Sequence, residues 1–104
     1  MPMKPLRKLR IHDYGNYCTF TSRSESFFVG MRVYGRGHGP FEYEVFEGGS
    51  RFLGEGSKNP LRYFPRTSDE AEARNLMRAT ILERAGKVAI KDGIGLDTRV
   101  VQHD

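Results

Sequence analysis

The apolar residues of this chain change their spacing once, and this change limits the folds that the chain can adopt. Up to about residue 60 apolar positions alternate with polar ones, as Leu9 and Ile11 do with their cationic neighbours, which is the period of a β-strand with one buried face. From residue 67 to residue 86 they recur every three or four residues, as in an amphipathic helix. The pattern predicts an α+β fold in which a four- or five-stranded antiparallel meander carries one C-terminal amphipathic α-helix on one face.

Five segments carry the strand pattern, and residues typical of turns separate them. They are residues 8–11, 17–21, 27–34, 41–45 and 51–55. Gly48-Gly49 predicts a two-residue hairpin turn, because a type I′ turn needs positive φ at both central positions. Residues 61–64 are expected to form a short edge strand.

The helix has the clearest signals at its ends. Thr67 precedes Glu70 by three residues, which is the spacing of a capping box, and Gly86 is typical of the position after a helix C-terminus. We therefore predict a helix over residues 68–85. Its buried stripe follows the i, i+3, i+4 spacing and consists of Ala73, Leu76, Met77, Thr80 and Ile81.

Length and composition predict a single small domain over residues 1–104. Hydrophobic residues make up 38% of the chain, which is enough for one core but not for two. Residues 88–90 are predicted to add a strand, whereas residues 95–104 fit either a last strand or a tail. The basic segment 1–10 and the segment 95–104 are the expected places of lower order.

Several classes of protein are disfavoured by what the sequence lacks. No apolar run approaches the roughly 18 residues of a membrane span, so we expect no membrane contact. No secretory signal is visible, and the single cysteine, Cys18, rules out a disulfide framework, which together favour the cytoplasm. The three histidines lie in separate segments without the spacing of metal ligands, so we expect no metal and no cofactor.

Charge and aromatic content indicate the class of partner. The formal charge is +4, from 17 Lys and Arg against 13 Asp and Glu, and arginine, which outnumbers lysine, binds phosphate bidentately and stacks on rings. Residues 35–40 form a glycine-rich loop. We therefore predict a small non-enzymatic protein that binds nucleic acid, RNA included, or a nucleic-acid-handling complex. The residues predicted to do so are Arg10, Arg32, Tyr34, Arg36 and His38.

Residues 39–58 resemble the hairpin of a double-stranded-RNA-binding domain, with a Gly-Pro loop, a strand, a glycine turn and a Gly-Ser-Lys stretch. That family continues into a helix whose lysines bind phosphates across the major groove. Here Asn59-Pro60 interrupts the chain at that point, and the predicted helix opens later with the acids Asp69 and Glu70. We transfer no function from this resemblance.

Two other functions fit the same sequence. One is a protein–protein inhibitor or adaptor of a phage or mobile element, for example one that blocks a host defence or regulatory complex. It would use the carboxylates Glu42, Glu44 and Glu47, or an exposed edge of the sheet. A basic ribonuclease centred on His38 would use Glu42 or Glu44 as its acid–base partner, with Arg36 on the phosphate.

Overall fold

A computed structural model describes residues 8–35, 37, 39–48 and 62–103. They form six strands and one helix: β1 (Lys8–Asp13), β2 (Tyr17–Thr21), β3 (Ser26–Tyr34), β4 (Glu42–Gly48), β5 (Arg62–Tyr63), α1 (Glu70–Asp92) and β6 (Gly95–Gln102). The strands build one sheet in the order β5-β4-β3-β2-β1-β6. Neighbouring strands are antiparallel except β1 and β6, which run parallel.

The predicted α+β class is confirmed, and two details of the prediction are wrong. The sheet has six strands with mixed pairing instead of four or five antiparallel ones, and α1 is followed by β6 instead of ending the fold. The reason is a crossover: α1 carries the chain from one edge of the sheet to the other, where β6 enters in the same direction as β1. The sequence of β6 does not show a regular alternation of apolar and polar residues, because a bulge lies between Leu96 and Val100.

The helix begins close to its predicted start, but a different residue caps it. Asp69 is the N-cap, and its carboxylate accepts a hydrogen bond from the backbone N–H of Glu72 at 3.2 Å. Thr67 stabilises the turn before the helix instead, because its hydroxyl accepts a hydrogen bond from the backbone N–H of Asp69 at 3.1 Å. Thr67 also forms a β-bridge with Tyr43. The start of α1 is therefore joined directly to β4.

The helix ends well beyond its predicted end, so the strand predicted at residues 88–90 is wrong. Gly86 lies inside α1, because the buried stripe continues on the next turns. The residues that continue it are Ala85, Val88 and Ala89. The helix terminates at Gly93, whose φ of 68° suits glycine. There the backbone N–H groups of Gly93 and Ile94 donate to carbonyls of the last turn, as in a Schellman motif.

The hydrophobic core lies between α1 and one face of the sheet. The strands contribute Leu9, Ile11, Cys18, Phe20, Phe27, Val29, Met31 and Val45, and the helix contributes Ala73, Met77, Ile81, Ala85, Val88 and Ala89. Thr80 of the predicted stripe is also buried, and its hydroxyl donates to the Leu76 carbonyl at 2.7 Å. The side chain of Leu76 is only half-buried at the margin of the core.

Arginines of α1 join the helix to the turn between β1 and β2. Arg78 donates to the buried carboxylate of Asp13 at 2.9 Å, and Arg74 donates to the Gly15 carbonyl at 2.6 Å. Burial, and then the charge of Asp13, raise the pKa of the Cys18 thiol to about 12. Cys18 therefore stays protonated and acts as a packing residue, because only a thiolate is a good nucleophile.

At the far edge of the sheet, β4 pairs with β5 through Phe46 with Tyr63 and Glu47 with Arg62. A short edge strand thus lies within residues 61–64, as expected. The predicted strand 51–55 and the second residue of the predicted glycine hairpin lie outside the described residues. No helix in the described ranges is long and apolar enough to cross a lipid bilayer.

Two isoleucines of α1 provide a matched test of the core. Ile81 is fully buried against the sheet, whereas Ile90 is 83% exposed on the same helix. We expect Ile81→Ala to lower the free energy of unfolding by about 2–5 kcal/mol, since it removes buried methyl groups and leaves a cavity. Ile90→Ala should change it by less than about 0.5 kcal/mol. Urea denaturation followed by circular dichroism measures both values, and equal effects would contradict this packing.

Candidate functional site

No described element covers the face of the sheet opposite α1, which we call the open face. Residues paired across neighbouring strands share a face, and side chains alternate along each strand, so the register assigns its members. They include Arg10, His12, Tyr17, Thr19, Phe28, Gly30, Arg32, Tyr34, Glu42, Glu44, Phe46 and Tyr63. Cations, carboxylates and aromatic rings therefore occupy the same side of the molecule.

A row of aromatic rings crosses the open face at right angles to the strands. Tyr17 pairs with Gly30, and Gly30 pairs with Phe46. Phe46 in turn pairs with Tyr63 on β5. At the β1 end Tyr14 stacks on Tyr17, with ring centroids 4.9 Å apart and planes 13° apart. Because neighbouring strands are about 4.8 Å apart, this ring row, Tyr14, Tyr17, Phe46 and Tyr63, spans roughly 15–20 Å.

Glycine residues allow aromatic rings to pack directly over the strands. A Cβ atom at Gly30 would lie 2.6 Å from Cζ of Phe46, so glycine is what leaves room for this ring. The ring of Phe28 occupies the same kind of space over Gly48, and the two phenyl rings meet edge to face with centroids 6.0 Å apart. Glycine weakens a strand by itself, and the packing of the open face explains why it occurs here.

Arg32 and Tyr34 lie together on one side of the ring row. The Arg32 guanidinium lies 5.1 Å from the centroid of the Phe46 ring and 5.7 Å from that of Tyr63. Hydrogen bonding to Tyr34, and then the neighbouring Tyr63, raise the pKa of Arg32 above its ordinary value. The charge is thus held against two members of the ring row, in the geometry of a cation–π contact.

Acidic residues balance the charge around Tyr34. The Tyr34 hydroxyl donates to Glu44 at 2.9 Å, and Arg66 lies over the Tyr34 ring at 3.8 Å. Arg66 also pairs with Glu42 at 3.6 Å and with Glu44 at 3.7 Å. Of these two carboxylates, Glu42 has a side chain 52% exposed and Glu44 one only 14% exposed. Little uncompensated charge is left at this end of the sheet.

Of the other predicted site residues, Glu47 on β4 does not join this group. Glu47 lies on the α1 side of the sheet, where it pairs with Arg62, so the three carboxylates of the inhibitor hypothesis are divided between two faces. Arg36 and His38 lie outside the described residues. The ribonuclease site centred on His38 therefore stays a prediction.

Arg10 lies on the open face but far from Arg32. His12 pairs with Thr19, and Thr19 pairs with Phe28. Arg10 is therefore displaced from Arg32 by six positions along the strands, which corresponds to roughly 20 Å. Its side chain is 64% exposed. The predicted cations thus flank the ring row from opposite sides instead of forming one patch.

A concavity of about 540 Å³ lies beside Arg10 and is lined by residues of β1 and β2, His12 among them. Nδ1 of His12 lies 2.8 Å from Nε2 of His103, and Tyr14 stacks on His103 with centroids 4.3 Å apart. Burial, then His103, then Arg10 lower the pKa of His12. Sequence reasoning missed this cluster, because only the parallel pairing of β1 with β6 brings the two histidines together.

No family model, curated protein or solved structure gives a significant match to this chain. Within the part of the chain that the structure describes, no group of three or more histidine, cysteine, aspartate or glutamate side chains could hold a metal ion. The function is therefore inferred from the geometry of the open face.

A double-mutant cycle tests the position of the Phe46 ring. Gly30→Ala places a methyl group where the ring lies, so we expect the free energy of unfolding to fall by about 1–3 kcal/mol. In the Phe46→Ala background the same change should be neutral or stabilising, because alanine restricts the unfolded chain more than glycine does. Urea denaturation of the four proteins gives the coupling energy. Additive effects would show that the ring does not lie over Gly30.

The lowered pKa of His12 predicts a stability that depends on pH. The unfolded chain takes up a proton at His12 more readily than the folded protein does. The free energy of unfolding should therefore be highest above the ordinary value of 6.5 and fall as the pH drops below it toward the folded-state pKa. His12→Gln should remove this part of the dependence. Urea midpoints at about pH 7.5 and pH 5.5 measure it, and identical pH dependence in both proteins would contradict the assignment.

Proposed function

We propose that this protein binds single-stranded nucleic acid on the open face of its sheet. The observation that carries the proposal is the ring row, whose end member Tyr63 is 48% exposed. At the other end Tyr14 is 40% exposed, but Tyr17 and His103 already stack on its two faces. Stacking of a base on an aromatic side chain contributes about 1–3 kcal/mol, and it works for every base. RNA-binding domains with an open sheet use aromatic residues in the same way.

Cations on both sides of the ring row fit the phosphates of such a strand. Arg32 lies on one side, while Arg10 and Lys8 lie on the other and border the concavity. The helix side is less suitable, because the first turn of α1 carries Glu70 and Glu72, which repel phosphate. On the open face Glu42 and Glu44 offset the charge near Arg32, so charge favours the end that carries Lys8 and Arg10.

Stacking should contribute more to the affinity than charge does. Many described cations are already paired with acids, as Arg66 is with Glu42 and Arg62 is with Glu47. The cations beside the ring row could neutralise two or three phosphates at most. Because bases must leave their stack to contact these rings, the surface favours single strands over duplexes.

We also propose that this binding takes place in the cytoplasm. The only cysteine of the chain, Cys18, is free and buried in β2. A free cysteine is typical of proteins in a reducing compartment, where thiols stay reduced and disulfides are rare.

Fluorescence anisotropy with short labelled RNA and DNA strands tests the proposal. Tyr63→Ala should weaken binding by about 5- to 150-fold, which corresponds to the loss of one stacked base. Tyr63→Phe keeps the ring and should bind as the unmodified protein does. Arg32→Glu should weaken binding more than Lys91→Glu, because both change the net charge equally but Lys91 lies on α1. The matching duplex should bind less tightly than either strand.

The salt dependence of this binding measures how much the phosphate contacts contribute to the affinity. A single strand loses affinity with a slope of about −0.7 in log K against log salt for each phosphate contact, so two or three contacts give about −1.4 to −2.1. Titrations between 50 and 200 mM salt give this slope. A much steeper slope would show that charge outweighs stacking.

Two results would overturn the proposal. One is the absence of binding to any of these oligonucleotides at micromolar protein concentration and low salt. The other is binding that Tyr63→Ala and Arg32→Glu leave unchanged. The first result, together with a stable complex with another protein, would favour the inhibitor or adaptor alternative, in which the exposed Glu42 is the available carboxylate on this face.

A further inference from the structure

His12 and His103 form a pair of imidazoles on the Arg10 side of the ring row. The 2.8 Å between Nδ1 of His12 and Nε2 of His103 requires one nitrogen to donate a hydrogen and the other to accept it. Two imidazolium rings would instead direct N–H against N–H across this distance. The pair in its present geometry therefore holds at most one extra proton.

Positive and aromatic groups surround this histidine pair. On β1, Lys8 and Arg10 line the same concavity as His12. Tyr14 stacks on His103, and Tyr17 stacks on Tyr14. Among the described residues no carboxylate forms an ion pair with either imidazole. Within the described residues the two imidazoles therefore have no acidic partner, although Asp97 lies 4.0 Å from Arg10.

The acids on the strands that hold the pair are engaged elsewhere. Asp97 on β6 lies 4.0 Å from Arg10 and binds Arg99 through both carboxylate oxygens. Asp13 directly follows His12 in the chain, but its carboxylate points toward α1, where it binds Arg78. Neither acid is available to balance a second proton on the histidine pair. An anion from solution would supply that balance.

We propose that His12, His103 and Arg10 form a binding site for a tetrahedral oxyanion, with a phosphate group as its ligand. The anion would enter between the imidazoles and replace one N–H···N contact by charge-assisted N–H···O bonds from both rings and from the guanidinium. The concavity of about 540 Å³ has room for a phosphate together with the nucleoside that carries it. The exposed Tyr14 ring borders this space.

The site goes beyond the function proposed above, because it recognises phosphate itself and requires no stacking on the ring row. Its affinity should increase as the pH falls. Two neutral rings can each donate one N–H to the anion, but a protonated pair also adds the positive charge that attracts it. Each proton taken up on binding contributes up to about a tenfold gain in affinity per pH unit. Burial, His103 and Arg10 lower the pKa of His12. The free protein therefore keeps His12 neutral to a lower pH, and a bound anion favours its protonation there.

Sulfate is the best probe of the site, because it is a dianion throughout this pH range and any pH dependence then belongs to the protein. We expect calorimetric titration to give an affinity at least about tenfold higher at pH 5.5 than at pH 8.0. His12→Gln and His103→Gln should each abolish most of this gain, since glutamine keeps a hydrogen-bond donor but takes up no proton. Lys91→Gln removes a cation of α1, which packs on the other face of the sheet, and is the control that should retain the gain.

Two further ligands distinguish the source of the phosphate. If a 5′-phosphorylated oligonucleotide binds more tightly than its 5′-hydroxyl form, and His103→Gln removes the difference, the site takes the phosphate of a strand. If both oligonucleotides bind equally while inorganic phosphate binds as sulfate does, the site takes free phosphate. Both results support the site.

The inference is overturned if sulfate binds equally at the two pH values, or if the gain persists in both His12→Gln and His103→Gln. Loss of the gain in Lys91→Gln would overturn it as well. Tyr63→Ala reports on stacking alone, because Tyr63 lies on β5 at the far edge of the sheet from β1. The ring row and the histidine pair can therefore succeed or fail separately.

Discussion

Within the described residues a single helix covers one of the two faces of the sheet. The 23 residues of α1 pack their buried stripe against one face, and this contact produces the hydrophobic core. Large side chains on the other face must find partners within the sheet itself. Phe46 does so by lying over Gly30 and beside Arg32. The same one-sided packing leaves rings and cations accessible on the open face, which is where both proposed binding sites lie.

The alternation of the strands and the helical spacing after residue 67 were sufficient to predict the α+β class and four of the seven buried residues of α1. The errors fall between Gly86 and the end of β6, and they have physical causes. Glycine is typical of the position after a helix, so the sequence predicts the end of α1 at Gly86. The buried stripe continues past it, and Gly93 is the glycine that ends the helix with a positive φ. In β6 the side chain of Asp97 accepts from the backbone N–H of Arg99 at 3.0 Å, inside the bulge that interrupts the alternation.

For the candidate site, the face on which a residue lies was predictable, whereas its neighbours were not. Arg32 and Tyr34 are two residues apart on one strand, so a period of two places them on the same face. The ring row depends on the register between strands, which sequence patterns leave undetermined on a face without a clear buried set. The contact between His12 and His103 depends on the crossover as well. Contacts that depend on strand register or on the crossover cannot be predicted from local sequence patterns.

The parallel pairing of β1 with β6 also sets the order in which the molecule can be completed. During synthesis β1 finds β2 at once, but its other edge stays unpaired until α1 has crossed the sheet and β6 has left the ribosome. An unpaired strand edge is a template for other chains. Nascent copies are therefore most prone to aggregate after β1 has formed and before β6 pairs with it. The pairing of β6 with β1 also brings together His12 and His103, which are 91 positions apart in the chain.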